Sequence, residues 1–255
     1  MENTSGKQPR KGGDIFRSQP PDFKPGAPIS PGEAVLPSSH VRMSLDPVAI
    51  VFQVVVFLFA ISVHESAHAW TANHYGDPTA RMLGRITLNP IYHIDPIGTV
   101  LLPLIALMYN IPMIGWAKPT PVNPLNFGKN HVKADIMTSV AGPVSNLIVA
   151  TGAVAVLAVL FRLRFVLGAA SEPLEHLFTE ALFINVLLAV FNMIPVPPLD
   201  GSHVIRHFLS GSALALYDRI GMFGLLILFV AGGNIIGTLV HPFLVFFARL
   251  LYAIS

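Results

Sequence analysis

The sequence predicts an all-α polytopic membrane protein, with about five to six transmembrane helices and a re-entrant or interfacial element after the first. Two observations carry this expectation. Of the 255 residues, 53% are hydrophobic and only 12% charged, roughly half the charged share of about 25% in ordinary soluble domains. Apolar runs that approach or exceed the ~20 residues an α-helix needs to cross hydrocarbon recur through most of the chain, so the spans themselves must make the fold.

The same composition excludes several classes. The chain has no cysteine, so disulfides, thiolate metal sites and cysteine nucleophiles are ruled out, and any metal must be held by imidazole and carboxylate. A formal charge of +2 with no basic cluster gives no nucleic-acid footprint, and no nucleic-acid partner is expected.

Taken in order, residues 1–45 are rich in Pro, Gly, Ser, Lys and Arg and read as a disordered tail, with a membrane-embedded domain over 46–255. The first apolar run starts only at Val48, too late for the core of a cleavable signal peptide, and is expected to act as an uncleaved anchor. It continues into the 70s, where Gly76-Asp77-Pro78 is a helix terminator. The run from Thr99 to Trp116 is apolar but broken by Pro103 and Pro112, too short for a clear span. Clear spans resume at about 134–161, 178–194, 213–230 and 235–253.

The chemistry sits near the end of the first span. His64-Glu65-Ser66-Ala67-His68 matches H-E-x-x-H: residues four apart share a helix face, so both imidazoles can bind one ion while Glu65 reaches the water on it. That pattern implies zinc, with Glu65 as general base for amide hydrolysis. Five-residue patterns also arise by accident. Here, however, ionisable groups inside a span each cost about 2.5–3.5 kcal/mol on insertion, and three within one turn are hard to explain without a function. A third ligand is needed. Asp200 is the best candidate, because it follows an apolar span whose end is broken by Pro195, Pro197 and Pro198. Its plain alternative is a solvated capping residue. His93, Asp95, His203 and His207 compete for the role.

Three separated motifs, HESAH at 64–68, AGPVSN at 141–146 and NMIPVPPLDG at 192–201, resemble those of the site-2 proteases, zinc-dependent intramembrane peptidases. The resemblance runs over roughly residues 47–208, and with no room for a PDZ or CBS domain it is to the compact form. It implies that His64, His68 and Asp200 hold one Zn2+ ion, that Glu65 activates water, and that Asn146 or Asn192 binds the substrate backbone or the oxyanion. Asn146 could equally be an interhelical hydrogen-bond partner, and Gly142 a point of close helix approach. The implied substrate is a transmembrane protein reached through membrane lipid, as in regulated proteolysis; a homo-oligomer or a regulatory partner is compatible with the chain.

A shared ion also constrains topology. His64, His68 and Asp200 lie towards the exit ends of their spans, so both exits must be on one face and residues 99–116 must return to the face they left. Arg81, Arg85, Lys118, Lys129, Lys133, Arg206 and Arg219 then fall on the active-site face, against Arg42, Arg162 and Arg164 on the other. By the positive-inside rule the site faces the cytoplasm, and the plasma membrane of a prokaryote is the expected location. Two other readings remain: a metal transporter, which usually spreads polar groups along several spans, and a scaffold retaining zinc for stability.

Overall fold

A computed structural model describes residues 47–109 and 115–255, and among these there is no β-strand. The tail expected over residues 1–45 lies outside the described residues. Seven α-helices follow one another: α1 Pro47–His74, α2 Thr79–Met82, α3 Leu102–Tyr109, α4 His131–Leu167, α5 Ser171–Asn192, α6 Asp200–Arg206 and α7 Gly211–Ile254. A π-helical turn, Pro96–Leu101, leads into α3. Among the described residues, three helical stretches are long and apolar enough to cross a membrane: Ile50–His74, Pro124–Asn192 and Ile235–Ile254. The second contains both α4 and α5, separated at Gly168, whose φ of 54° turns the chain.

Helix α1 opens on proline, whose missing N–H costs nothing in the first turn, and continues through 28 residues without an interior breaker. Its stop is the one the sequence announces. Gly76 takes φ 104°, the Gly76 amide donates to the Asn73 carbonyl and the Asp77 amide to the Ala72 carbonyl, which is the Schellman pattern with glycine at the left-handed position.

Paired residues give the helix directions. His64 and His68 of α1 meet Asn146 and Thr138 of α4 in reversed order, so α1 and α4 are antiparallel. Asn146 and Arg164 of α4 meet Asn185 and Glu175 of α5, again reversed. Helices α1 and α5 are therefore parallel, with Phe52 against His176 near their starts and both C-terminal ends at the same level. Helix α7 packs on this pair through Val240 and Phe247, which are buried with Ala150, Val154 and Val186.

The two described ends of the run after α1 meet. The Trp116 amide donates to the Gly98 carbonyl at 3.2 Å, and the Thr99 hydroxyl donates to the Trp116 carbonyl at 2.7 Å. Two ends joined by hydrogen bonds cannot lie on opposite sides of a hydrocarbon layer about 30 Å thick. Gly98 makes the closure feasible, since a Cβ there would fall 2.4 Å from the Trp116 ring.

The C-terminal part differs from the expectation. Residues 213–230 and 235–253 are one helix, α7, 44 residues long. At 1.5 Å per residue it extends about 66 Å, roughly twice the hydrocarbon thickness. It starts at the metal end of the molecule, where the Tyr217 hydroxyl donates to the Pro195 carbonyl and Arg206 pairs with Asp218. It ends at the opposite face, where Arg162 donates to the carbonyls of Ile254 and Ser255. Glycines at 232 and 233 weaken the helix by about 1 kcal/mol each but do not forbid it. In an apolar environment a continuous helix pairs its backbone polar groups within itself.

Candidate metal centre

Helix α1 carries His64 and His68 one turn apart, with ring centroids 4.6 Å from each other and the two residues 6% and 7% exposed. Asp200 is brought to them by the proline-rich turn after α5, as the first residue of α6. Its Oδ2 lies 3.1 Å from His64 Nε2 and 3.4 Å from His68 Nε2. The turn can fold this tightly because residue 201 is glycine; a Cβ there would sit 2.3 Å from the Met193 carbonyl oxygen.

The outer nitrogens of both rings are committed. His68 Nδ1 faces the Thr138 carbonyl at 2.7 Å, an acceptor only, so Nδ1 carries the proton and donates. His64 Nδ1 lies 2.6 Å from Asn146 Oδ1. The Asn146 amide nitrogen donates to the Ala60 carbonyl and to Asn185 Oδ1, which leaves Oδ1 as the acceptor towards His64. In both rings the Nε2 lone pair is thereby turned to Asp200. Three electron-pair donors within 4.8 Å of one another, one of them an anion, form a site for a cation.

The space fits as well as the donors do. Ligand atoms on a tetrahedral zinc with bonds of about 2.0–2.1 Å are about 3.3 Å apart, against the 3.1 and 3.4 Å found between Asp200 and the histidines. Gly142 of α4 borders the gap. A Cβ on it would lie 2.4 Å from His68 Nε2 and 2.6 Å from His64 Nε2, so the room for an ion is kept by a missing methyl.

Glu65 is half-buried beside this group and tied to the returning segment: the Thr120 amide donates to Glu65 Oε2 at 2.8 Å, and the Thr120 hydroxyl to the Glu65 carbonyl at 3.0 Å. Residues 119 and 121 are prolines, so Thr120 carries the one N–H of that triplet. The segment is held in turn by Asp77, which accepts from the amides of Asn123 and Thr79 and from the side chains of Thr79 and Asn126.

The competing candidates are engaged elsewhere. His93 is buried and donates from Nε2 to the Thr87 carbonyl at 2.8 Å. Asp95 caps the π-helical turn by accepting from the Ile97 and Gly98 amides. His207 pairs with Asp135 at 2.7 Å, and His203 is exposed. The two asparagines expected at the substrate both make hydrogen bonds within the protein. Both amide hydrogens of Asn146 are used internally, so in this arrangement it has none for an oxyanion. Asn192 donates to the Leu188 carbonyl of its own helix at 3.0 Å. Sequence reasoning missed Thr120, Thr138 and Asn185, whose parts arise from contacts 39 to 70 residues away in the chain.

A helical, membrane-type frame that gathers an H-E-x-x-H pair and a distant aspartate around an ion-sized gap is the arrangement of a membrane metallopeptidase. Comparisons with known proteins identify which. Residues 163–231 match the model of peptidase family M50. The chain is 36% identical over 180 residues, 70% of its length and 78% of the relative's, to the Bacillus subtilis protein named "Putative zinc metalloprotease YwhC". It is 29% identical over 207 residues, 78% of this chain and 72% of the other, to the Mycobacterium tuberculosis protein named "Putative zinc metalloprotease Rip2". The Mycolicibacterium smegmatis protein of the same name is 28% identical over 158 residues, covering 60% of this chain and 56% of that one. No solved structure matches the chain. The chain belongs to peptidase family M50, the site-2 proteases, and is a zinc metalloprotease integral to the membrane.

Proposed function

We propose that this protein is an intramembrane endopeptidase that hydrolyses peptide bonds within or near the transmembrane segments of membrane-anchored proteins, in regulated proteolysis. The observation that carries the proposal is the convergence of His64, His68 and Asp200, 132 residues after His68 in the chain, on one gap beside Glu65 at the end of an apolar helix.

In this reading His64, His68 and Asp200 hold one zinc ion, which supplies Lewis acidity that makes water nucleophilic near neutral pH. Glu65 does the proton work. With Oε2 occupied by the Thr120 amide, Oε1 accepts the proton of the attacking water and returns it to the leaving amine. Thr120 positions that carboxylate. Because helical hydrogen bonds shield a substrate's carbonyls, the scissile segment must unwind to be attacked.

The seven basic residues at 81, 85, 118, 129, 133, 206 and 219 favour a cytoplasmic orientation for the metal end, and the bacterial relatives favour a prokaryotic plasma membrane. Residues 1–45 are read as a disordered tail ahead of the membrane domain.

The test is cleavage of a panel of single-span membrane proteins in liposomes, with cut sites mapped by mass spectrometry. Cuts inside or at the edge of the span, abolished by a zinc chelator, are expected. Cleavage confined to water-soluble regions far from the bilayer would contradict the proposal.

A further inference from the structure

We propose that Asn185 is a positioning residue of the metal site: through Asn146 it selects the His64 tautomer that leaves Nε2 free to bind a cation. The inference rests on the reading of His64 as a zinc ligand.

One line of hydrogen bonds crosses three helices, from α5 through α4 to α1. Asn185 Nδ2 donates to the Ala181 carbonyl at 2.8 Å. A main-chain carbonyl only accepts, so this contact fixes which end of the Asn185 amide is which, and Oδ1 is turned away towards α4. There Oδ1 accepts from Asn146 Nδ2 at 2.8 Å. The Asn146 amide is oriented in its turn: its nitrogen serves Asn185 and the Ala60 carbonyl, and its Oδ1 is left 2.6 Å from His64 Nδ1. His64 must then carry its proton on Nδ1.

The alternative shows why this matters. If the Asn146 amide were reversed, its nitrogen would donate to His64 Nδ1, the ring proton would move to Nε2, and that proton would point at Asp200 where an ion belongs. Ala60 alone is a weak guard against reversal, since its bond is the longer one at 3.2 Å. Asn185 supplies the second acceptor. Asn146 and Asn185 are both fully buried, so no water competes for these contacts. Partners behind a metal-binding histidine typically change metal affinity 10–100-fold when removed.

Three variants of the full-length protein in detergent test this, with zinc loss to a chelator as the readout and the melting temperature of the zinc-free protein as the control for folding. Asn185→Leu is expected to weaken zinc retention about 10-fold or more. Asn185→Asp should restore most of it. A carboxyl buried in apolar surroundings stays neutral, so its O–H can donate to the Ala181 carbonyl while its other oxygen accepts from Asn146. Combined with Asn146→Leu, Asn185→Leu should cost nothing beyond Asn146→Leu alone, because both act through the same link. Additive losses, an Asn185→Asp variant no better than Asn185→Leu, or unchanged zinc retention with only the melting temperature lowered would each overturn the proposal. A wild-type protein that binds no zinc would instead refute the underlying assignment of the ligands.

Discussion

Between His64 and His68 the decisive neighbour is a residue with no side chain. A Cβ on Gly142 would fall 2.4 Å from His68 Nε2, closer than any non-bonded carbon and nitrogen can sit. Gly142→Ala is therefore expected to lose zinc while keeping its helices, measured as metal content against circular dichroism; a variant that binds zinc normally would contradict the assigned space. Asp200→Ala should likewise release zinc to a chelator far more readily than wild type, whereas Asp95→Ala should not, since Asp95 only caps a helical turn. Equal behaviour of the two variants would remove Asp200 as the third ligand. His64, Glu65, His68 and Asp200 were legible because helical spacing and a proline break are local signals. Asn185, Thr138 and Thr120 were not, because each acts by meeting a residue on another helix or loop.

For the elements, the contact to probe is the one between the end of α1 and the returning segment. Burial pushes the buried Asp77 carboxyl up, but its hydrogen bonds with Thr79, Asn123 and Asn126 more than reverse this and hold it below its usual value. A depressed carboxyl contributes stability that is present above the unfolded-state pKa of about 3.9 and is lost as pH falls through the lower folded-state value. Wild type should thus lose stability on acidification below about pH 4. Asp77→Asn should be less stable at neutral pH by about 1–3 kcal/mol, since it sets an amide donor against backbone N–H groups, and should show less of that acid dependence. Equal melting temperatures at pH 7 would show that the clamp does not hold the segment. Helix α1 and its Gly76 stop could be read in advance from apolar run and terminator. The merging of 213–230 and 235–253 into α7 could not, because two adjacent glycines look like a break while the environment of the backbone favours continuation.

Across the molecule, parallel α1 and α5 place His68 and Asp200 at the same end, and hydrogen bonds join Gly98 and Thr99 to Trp116. In the cysteine-free chain, single cysteines at Thr79 and Asn126 should react with an impermeant thiol reagent from the same side of the membrane, and cysteines at Ser171 and Ser255 from the other. Thr79 and Asn126 on opposite sides would break the shared site. Ser255 on the side of Thr79 would instead favour two spans in place of the single α7. The paired exits of the two site-bearing spans were deducible from the need to share an ion; the side on which the C-terminus ends was not, since it depends on whether α7 turns.

If Glu65 moves protons while His64, His68 and Asp200 hold the metal, measuring zinc content and turnover together in Glu65→Gln separates the two roles most directly. The substitution removes the proton acceptor and leaves His64, His68 and Asp200 intact. The expected result is one zinc per chain, as in wild type, with cleavage of a membrane substrate reduced by about 10²–10⁴-fold. Turnover near the wild-type rate with zinc bound would contradict it.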